Sequence, residues 1–207
     1  MDEAHNSDNQ PIGIIVLAAG ASRRMNEPKQ LLQFEGKTLL RRAVETAVES
    51  IYQPIIVVLG ANVEKMRLEI EDLPVEIVFN QDWQRGLSSS IKIGLEMLLR
   101  IAPQTAAVLM TLADQPFVTV KHLDLFAEKF HKSNDLIIAA EYNSTIGVPA
   151  LFASDVLADF NKLSGDKGAR PIMENYRQSL ATIKLPEAAF DVDTPQDFSN
   201  LKQLISK

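Results

Sequence analysis

No cysteine occurs among the 207 residues. Disulfides and thiolate metal sites are therefore excluded, and the cytoplasm is the expected compartment. Histidine is nearly absent as well: His5, His122 and His131 share no metal-ligand spacing, and none is placed as a general base. The one tryptophan, Trp83, is expected to anchor a loop. No apolar run approaches the length of a membrane span, so no membrane partner is expected. Basic residues do not dominate: 21 Lys and Arg stand against 27 Asp and Glu, a net charge of −6. The cations are dispersed rather than gathered on one face, which argues against a nucleic-acid partner. Neither Gly-x-Gly-x-x-Gly nor Gly-x-x-x-x-Gly-Lys-Ser/Thr appears, which removes the dinucleotide fingerprint and the P-loop. What remains, 46% apolar and 23% charged, is the balance of a globular protein with a real core.

The first eleven residues are polar and read as a tail, leaving residues 12–207 as one domain without repeats or linkers. Ile12 to Leu17 is an apolar, mostly β-branched run that suits a buried strand. From Thr38 to Ile51 the apolar positions Leu40, Val44, Ala47 and Ile51 keep helical spacing, with Thr38 as N-cap. Ile55 to Leu59, a helix from Val63, and Val75 to Phe79 continue a β-α-β-α-β order, which implies a parallel sheet with right-handed crossovers. A helix ending near Arg100, a strand from Ala106 to Thr111, a helix capped by Thr119 and a strand from Leu136 to Ala140 follow. Glu141 to Phe152 suits a small hairpin that interrupts the rhythm, and a helix bearing Phe198, Leu201, Leu204 and Ile205 closes the chain. The expected fold class is α/β, three layers, with a mostly parallel sheet covered by helices on both faces.

The stretch after the first strand organises the rest. A strand that empties into small residues offers free N–H groups able to cradle phosphates, and Gly20 suits a positive φ or a close approach to a ligand. Arg23, Arg24 and Lys29 put cations on that loop. Asp114 follows an apolar strand. At the carboxyl edge of a parallel sheet it could hold Mg²⁺, or it could simply form a turn before Gln115-Pro116. Alternation in Phe190-Asp-Val-Asp turns Asp191 and Asp193 to one face, with Val192 opposite. Thr194, Pro195 and Asp197 read as a helix-capping box. Of the serines Ser88, Ser89 and Ser90, one or two could contact a nucleotide while another caps the following helix; Ser90 is assigned to the cap.

Leu17-Ala-Ala-Gly20-Ala-Ser22-Arg-Arg24-Met25-Asn-Glu-Pro-Lys29 resembles the signature loop of the molybdenum cofactor and sugar nucleotidyltransferases, with Asn26 where that family usually has Gly. Asp191-x-Asp193-Thr-Pro-x-Asp197, and the run Asn80, Gly86, Ser88 to Ser90, Gly94, Leu95, are similar to further family signatures. Gly147-Val148-Pro149 and Gly165-Asp-Lys-Gly168-Ala-Arg170 resemble segments of the cytidylyl branch, with Val148 in place of its His. The resemblance spans nearly the whole chain. It implies a Rossmann-like nucleotidyltransferase fold and CMP transfer from CTP to molybdopterin or the molybdenum cofactor, with Mg²⁺ and release of pyrophosphate. Leu17, Ala18, Ala19, Gly20, Ser22, Ser88 and Ser89 would contact the nucleotide; Arg24, Lys29 and Asp114 would act on its phosphates. Asp114 and Asp193, with Asp191, would hold the metal. Gly147, Pro149, Gly165, Gly168 and Arg170 would line the acceptor side, and an apo-molybdoenzyme is a possible recipient of the product. Ala18-Ala19 and Gln115-Pro116 lean toward cytosine within the family. Guanylyl or sugar-phosphate transfer, and a non-catalytic cofactor carrier, are the alternatives.

Overall fold

The computed structural model describes residues 11–25 and 27–205, with the side chains of Leu204 and Ile205 left out. His5, Asn26 and the tail up to Gln10 lie outside the described residues. Pro11 belongs to the folded part, since its carbonyl accepts from the Ala106 N–H at 3.0 Å.

Among the described residues nine strands and seven α-helices form in chain order. They are β1 (Ile12–Ala18), β2 (Gln33–Phe34), β3 (Lys37–Thr38), α1 (Leu39–Val48), β4 (Ile55–Leu59), α2 (Val63–Leu68), β5 (Glu76–Phe79), α3 (Leu87–Ile101), β6 (Ala107–Leu112), α4 (Val120–Lys132), β7 (Ile137–Tyr142), β8 (Thr145–Ala153), α5 (Ser154–Leu157), α6 (Arg170–Asn175), β9 (Leu180–Lys184) and α7 (Pro195–Ile205). Seven strands make one sheet in the order β5-β4-β1-β6-β8-β7-β9, while β2 and β3 pair separately. All pairings in the large sheet are parallel except those of β8, which runs antiparallel to both β6 and β7. The expected hairpin therefore exists, and its second strand is a full member of the sheet. Asn143 and Ser144, both at positive φ, turn it in the primed geometry that matches strand twist.

The apolar runs form strands because both faces of the sheet are covered. Every residue of β1 is buried. Ile14, Val16 and Ala18 face a layer containing Leu40, Val44 and Ala47 of α1, Met66 of α2 and Phe126 of α4. Ile15 and Leu17 face Ile91, Leu95 and Leu98 of α3 and Ile172 and Met173 of α6. Thr38 caps α1 as expected, its Oγ1 accepting from the Arg41 N–H at 3.2 Å. Leu201 of α7 packs with Leu32, Phe34, Leu39 and Val192 in a smaller cluster at one end of the sheet. Among the described residues no helix is long and apolar enough to cross a membrane.

A buried polar contact joins the loop before β4 to α4. The Tyr52 hydroxyl donates to the Leu123 carbonyl at 2.7 Å and accepts from the Ala127 N–H at 3.1 Å, so it stands inside the backbone ladder of α4. Burial pushes its pKa up, so it stays protonated. Tyr52→Phe is expected to cost about 1–3 kcal/mol of stability, read as a lower urea midpoint at unchanged slope.

The chain progresses outward from β1 through β4 to β5, then returns to the other flank of β1 as β6. This reversal is a topological switch point, where α/β sheets open a crevice at the carboxyl ends of the strands. Leu17 pairs with Leu112, so the loops after β1 and β6 leave the sheet at one level.

Candidate active site

The loop after β1 is held by Gln30, a buried residue in the 3-10 turn Lys29–Leu31. Its Nε2 donates to the carbonyls of Ala18 at 3.2 Å and Gly20 at 2.9 Å. Its Oε1 accepts from the Ser22 hydroxyl at 3.0 Å, and Ser22 Oγ accepts from the Lys29 N–H at 2.9 Å. Ser22, expected to touch the nucleotide, is thus engaged within the loop, which it shapes by adopting a φ of 52°. Gly20 is not a positive-φ residue, and a Cβ there would find nothing nearer than Gln30 Nε2 at 3.8 Å. The fold alone has room for alanine at this position. Gly20→Ala is expected to leave the melting temperature within about 2 °C and to weaken nucleoside triphosphate binding at least about tenfold, because a methyl group would fill the space a phosphate must approach. Thermal unfolding checks the first half of that statement and calorimetric titration with the nucleotide the second.

The acidic segments meet this loop. The Val192 N–H donates to the Asp114 carbonyl at 3.1 Å, which stitches the chain before α7 to the end of β6. Val192 is fully buried, and the alternation turns Asp191 and Asp193 the other way. Asp197 accepts from the Thr194 N–H and hydroxyl, both at 2.8 Å, so these residues cap α7 as expected. Lys29 Nζ bridges the carboxylates of Asp114 and Asp193, the latter at 2.6 Å, and Arg24 Nη2 holds the other Asp193 oxygen at 2.6 Å. Against burial, which would lower it, Asp114 and then Asp193 raise the Lys29 pKa. Against burial, which would raise it, Lys29 and Arg24 hold the Asp193 carboxyl below its ordinary value. Asp191 is exposed as a residue, yet partial burial of its carboxyl and then the Asp114 charge push its pKa up to about 6.

Three carboxylates thus converge, but among the described residues no three acidic or histidine side chains are grouped as a metal cage. The ammonium of Lys29 sits between the two that were expected to share an ion. Asp114 Oδ1 nevertheless lies buried without a hydrogen-bond partner. An orphaned carboxylate oxygen beside further carboxylates is an all-oxygen donor set, which fits Mg²⁺ completed by water and phosphate oxygens.

Beside these groups opens a cavity of about 420 Å³, bordered by Leu17, Ala18, Ala19, Gly20 and Lys29 on the loop side and by Asp114. Its far wall is Trp83, Leu87, Ser90 and Asp166. Two placements differ from the sequence expectations. Arg23 borders the cavity, whereas Arg24 is engaged by Asp193. Ser90 borders it too, whereas Ser88 and Ser89 face a neighbouring groove with Asp82 and Lys92. The α-helical periodicity turns consecutive serines of the first turn about 100° apart, so only one of them can face the crevice. Buried Asn80 fixes that turn, its Nδ2 donating to Ser89 Oγ at 2.8 Å and Ser90 Oγ at 2.9 Å. Trp83, expected as an anchor, also forms wall.

The segments expected on the acceptor side lie next to the crevice. Gly165 packs directly on Gly86, where a Cβ would meet the Gly165 carbonyl carbon at 2.4 Å, and its carbonyl accepts from the Ser88 N–H at 3.1 Å. Gly168 packs on Leu87. Arg170 Nη2 donates to Thr145 Oγ1 at 2.9 Å, joining this loop to the hairpin. Pro149 is buried. Gln115, read in the sequence only as leaning toward cytosine together with Pro116, donates through Nε2 to the carbonyls of Val148 at 3.1 Å and Ala188 at 2.9 Å, holding the hairpin to the end of β6.

Comparison with known proteins agrees with this geometry. The model of the MobA-like NTP transferase domain matches residues 14–181. The molybdenum cofactor cytidylyltransferase of Escherichia coli K12 is 28% identical over 93% of this chain and 96% of its own. The nicotine blue oxidoreductase of Paenarthrobacter nicotinovorans is 29% identical over 92% and 93%. Among solved structures, Rv0371c of Mycobacterium tuberculosis H37Rv superimposes with a TM-score of 0.82 at 27% identity, covering 94% of this chain and 98% of its own. A manganese complex of Rv0371c gives a TM-score of 0.77 at 25% identity over 94% of this chain and 99% of its own. The chain is a nucleotidyltransferase and belongs to the MobA-like NTP transferase family.

Proposed function

We propose that the chain transfers CMP from CTP to the phosphate of a molybdopterin-type acceptor, the molybdenum cofactor, and releases pyrophosphate. The observation that carries this reading is the meeting of Lys29, Asp114 and Asp193 at the mouth of the cavity under the Gly20 loop. The whole-length similarity to a cytidylyltransferase of molybdenum cofactor supports the donor and acceptor.

An acceptor phosphate is already anionic, so no strong base is needed. What the protein must supply is alignment and charge neutralisation around the α-phosphorus. The backbone of Ala18 to Gly20, held open by Gln30, presents N–H groups to the β- and γ-phosphates, with Arg23 beside them. Lys29 exchanges its carboxylate partners for phosphate oxygens where negative charge builds up. Asp114 and Asp193, with Asp191 adjacent, would hold Mg²⁺, which when bound neutralises the phosphates that meet there. Trp83, Leu87 and Ser90 shape the wall for base and ribose, and the residues joined by Gln115 and Arg170 face the acceptor.

The test is pyrophosphate release by the purified protein with Mg²⁺, molybdenum cofactor and either CTP or GTP. Release dependent on the acceptor, and faster with CTP, is the expected result. Preference for GTP would transfer the reading to guanylyl transfer. Nucleotide binding without pyrophosphate from any acceptor, sugar phosphates included, would leave a carrier and sink the proposal.

A further inference from the structure

We propose that the Tyr142 hydroxyl is a contact for the acceptor's phosphate, acting with Arg170 and Thr145 on the hairpin wall of the crevice; the inference rests on the transfer reaction proposed above. Tyr142 is the last residue of β7, paired with Thr145 across the hairpin turn. The register of β7 against β8 jumps between Ala139, opposite Ala150, and Ala140, opposite Gly147. Val148 and Pro149 therefore bulge out of the ladder, a device that re-aims neighbouring side chains. The Val148 carbonyl, freed from the ladder, accepts from Gln115 Nε2 at 3.1 Å. It also receives the Tyr142 hydroxyl, but only at 3.4 Å. A contact that long leaves the phenolic proton available for a better acceptor.

Gly147 shows that the chain makes room for this hydroxyl. A Cβ there would meet the Tyr142 oxygen at 2.3 Å, and nothing else comes within 3 Å. The ring is half-buried, and the charges of Asp191, Arg170 and Asp114 all act on it. Through the Val148 carbonyl the phenol shares an acceptor with Gln115, the chain neighbour of Asp114. Arg170 gives one N–H to Thr145 Oγ1 at 2.9 Å and, among the described residues, forms no ion pair. A guanidinium without a carboxylate, a neutral hydroxyl donor and a threonine hydroxyl form a donor set suited to a phosphate monoester. The mechanism above uses none of Tyr142.

Inorganic phosphate is the probe. It is titrated into protein carrying Mg²⁺ and a non-hydrolysable CTP analogue, with a GTP analogue in parallel. Tyr142→Phe is expected to weaken phosphate binding about tenfold, the loss of one hydrogen bond to a charged group, with the melting temperature and analogue affinity unchanged. Gly147→Ala keeps the hydroxyl but swings it aside, and is expected to weaken phosphate equally. With molybdenum cofactor as substrate, Tyr142→Phe raises the acceptor KM and leaves kcat and the CTP KM in place. Phosphate affinity equal in parent and Tyr142→Phe, or no phosphate binding by the parent, overturns the proposal. If the protein holds only the GTP analogue, the cytidylyl reading fails, while the same titration on that complex still decides the role of Tyr142.

Discussion

Lys29→Ala is expected to lower turnover by roughly two to three decades, the scale for losing one preorganised electrostatic donor, with little change in the KM for nucleotide. Steady-state rates within about tenfold of the parent would count against the assignment. The same substitution has a second consequence of opposite sign. In the free protein Lys29 Nζ lies between Asp114 and Asp193, and its pKa is raised, so it is charged at any working pH. A divalent cation must compete with that ammonium for the carboxylates. Removing the ammonium leaves two like charges facing each other, so the variant is expected to bind Mn²⁺ more tightly than the parent while catalysing poorly. Calorimetry with Mn²⁺ alone reads this directly. A lysine that merely stabilised the fold would lower activity and metal affinity together. The sign with pH is fixed at both ends: the raised lysine pKa keeps its contribution in full below the ordinary lysine value of about 10 and loses it as pH rises through the raised one, while the lowered Asp193 pKa means its pairs are lost in acid, as pH falls through that lowered value.

Asp114→Asn is expected to be nearly as severe for turnover and to move metal affinity the other way. The substitution removes the charge opposite Lys29 and converts the orphaned oxygen into part of a neutral amide. Mn²⁺ affinity is expected to fall by about 100-fold or more, since even outer partners of metal sites contribute 10–100-fold. The fold is expected to survive. Asp114 joins the α7 approach through its backbone carbonyl, which accepts from Val192 N–H, and that bond does not depend on the side chain. Thermal unfolding of the variant should therefore remain cooperative. Parent-like Mn²⁺ affinity in a folded Asp114→Asn protein would remove this residue from the metal site.

The parts of this site that could be read in the sequence are those fixed by local periodicity. Ile12 to Leu17 and Ile55 to Leu59 are short apolar runs rich in β-branched residues, which suit a strand covered on both faces. The alternation around Val192 placed Asp191 and Asp193 on one side because a single buried valine fixes the phase. Asp114 could be placed because a strand's end determines where its next polar residue emerges. The placements not foreseen arise where phase is set by tertiary contacts. Ser88, Ser89 and Ser90 are chemically alike, so only the packing of α3 decides that Ser90 meets the cavity. Arg23 and Arg24 are adjacent in a loop whose course depends on the positive φ of Ser22, and nothing in the pair distinguishes them. Gln30 and Gln115 act through carbonyls distant in sequence, which leave no periodic trace. Tyr142 owes its position to a bulge, and a bulge shifts register without altering composition.

The most direct test of the central claim is a crystal structure with Mn²⁺ and a non-hydrolysable CTP analogue, read through the anomalous signal of the metal. The account requires a manganese peak between the carboxylates of Asp114 and Asp193, with Lys29 Nζ moved onto the phosphates of the analogue. A nucleotide bound in the cavity while Lys29 still bridges the two carboxylates, and a metal peak located elsewhere, would contradict it.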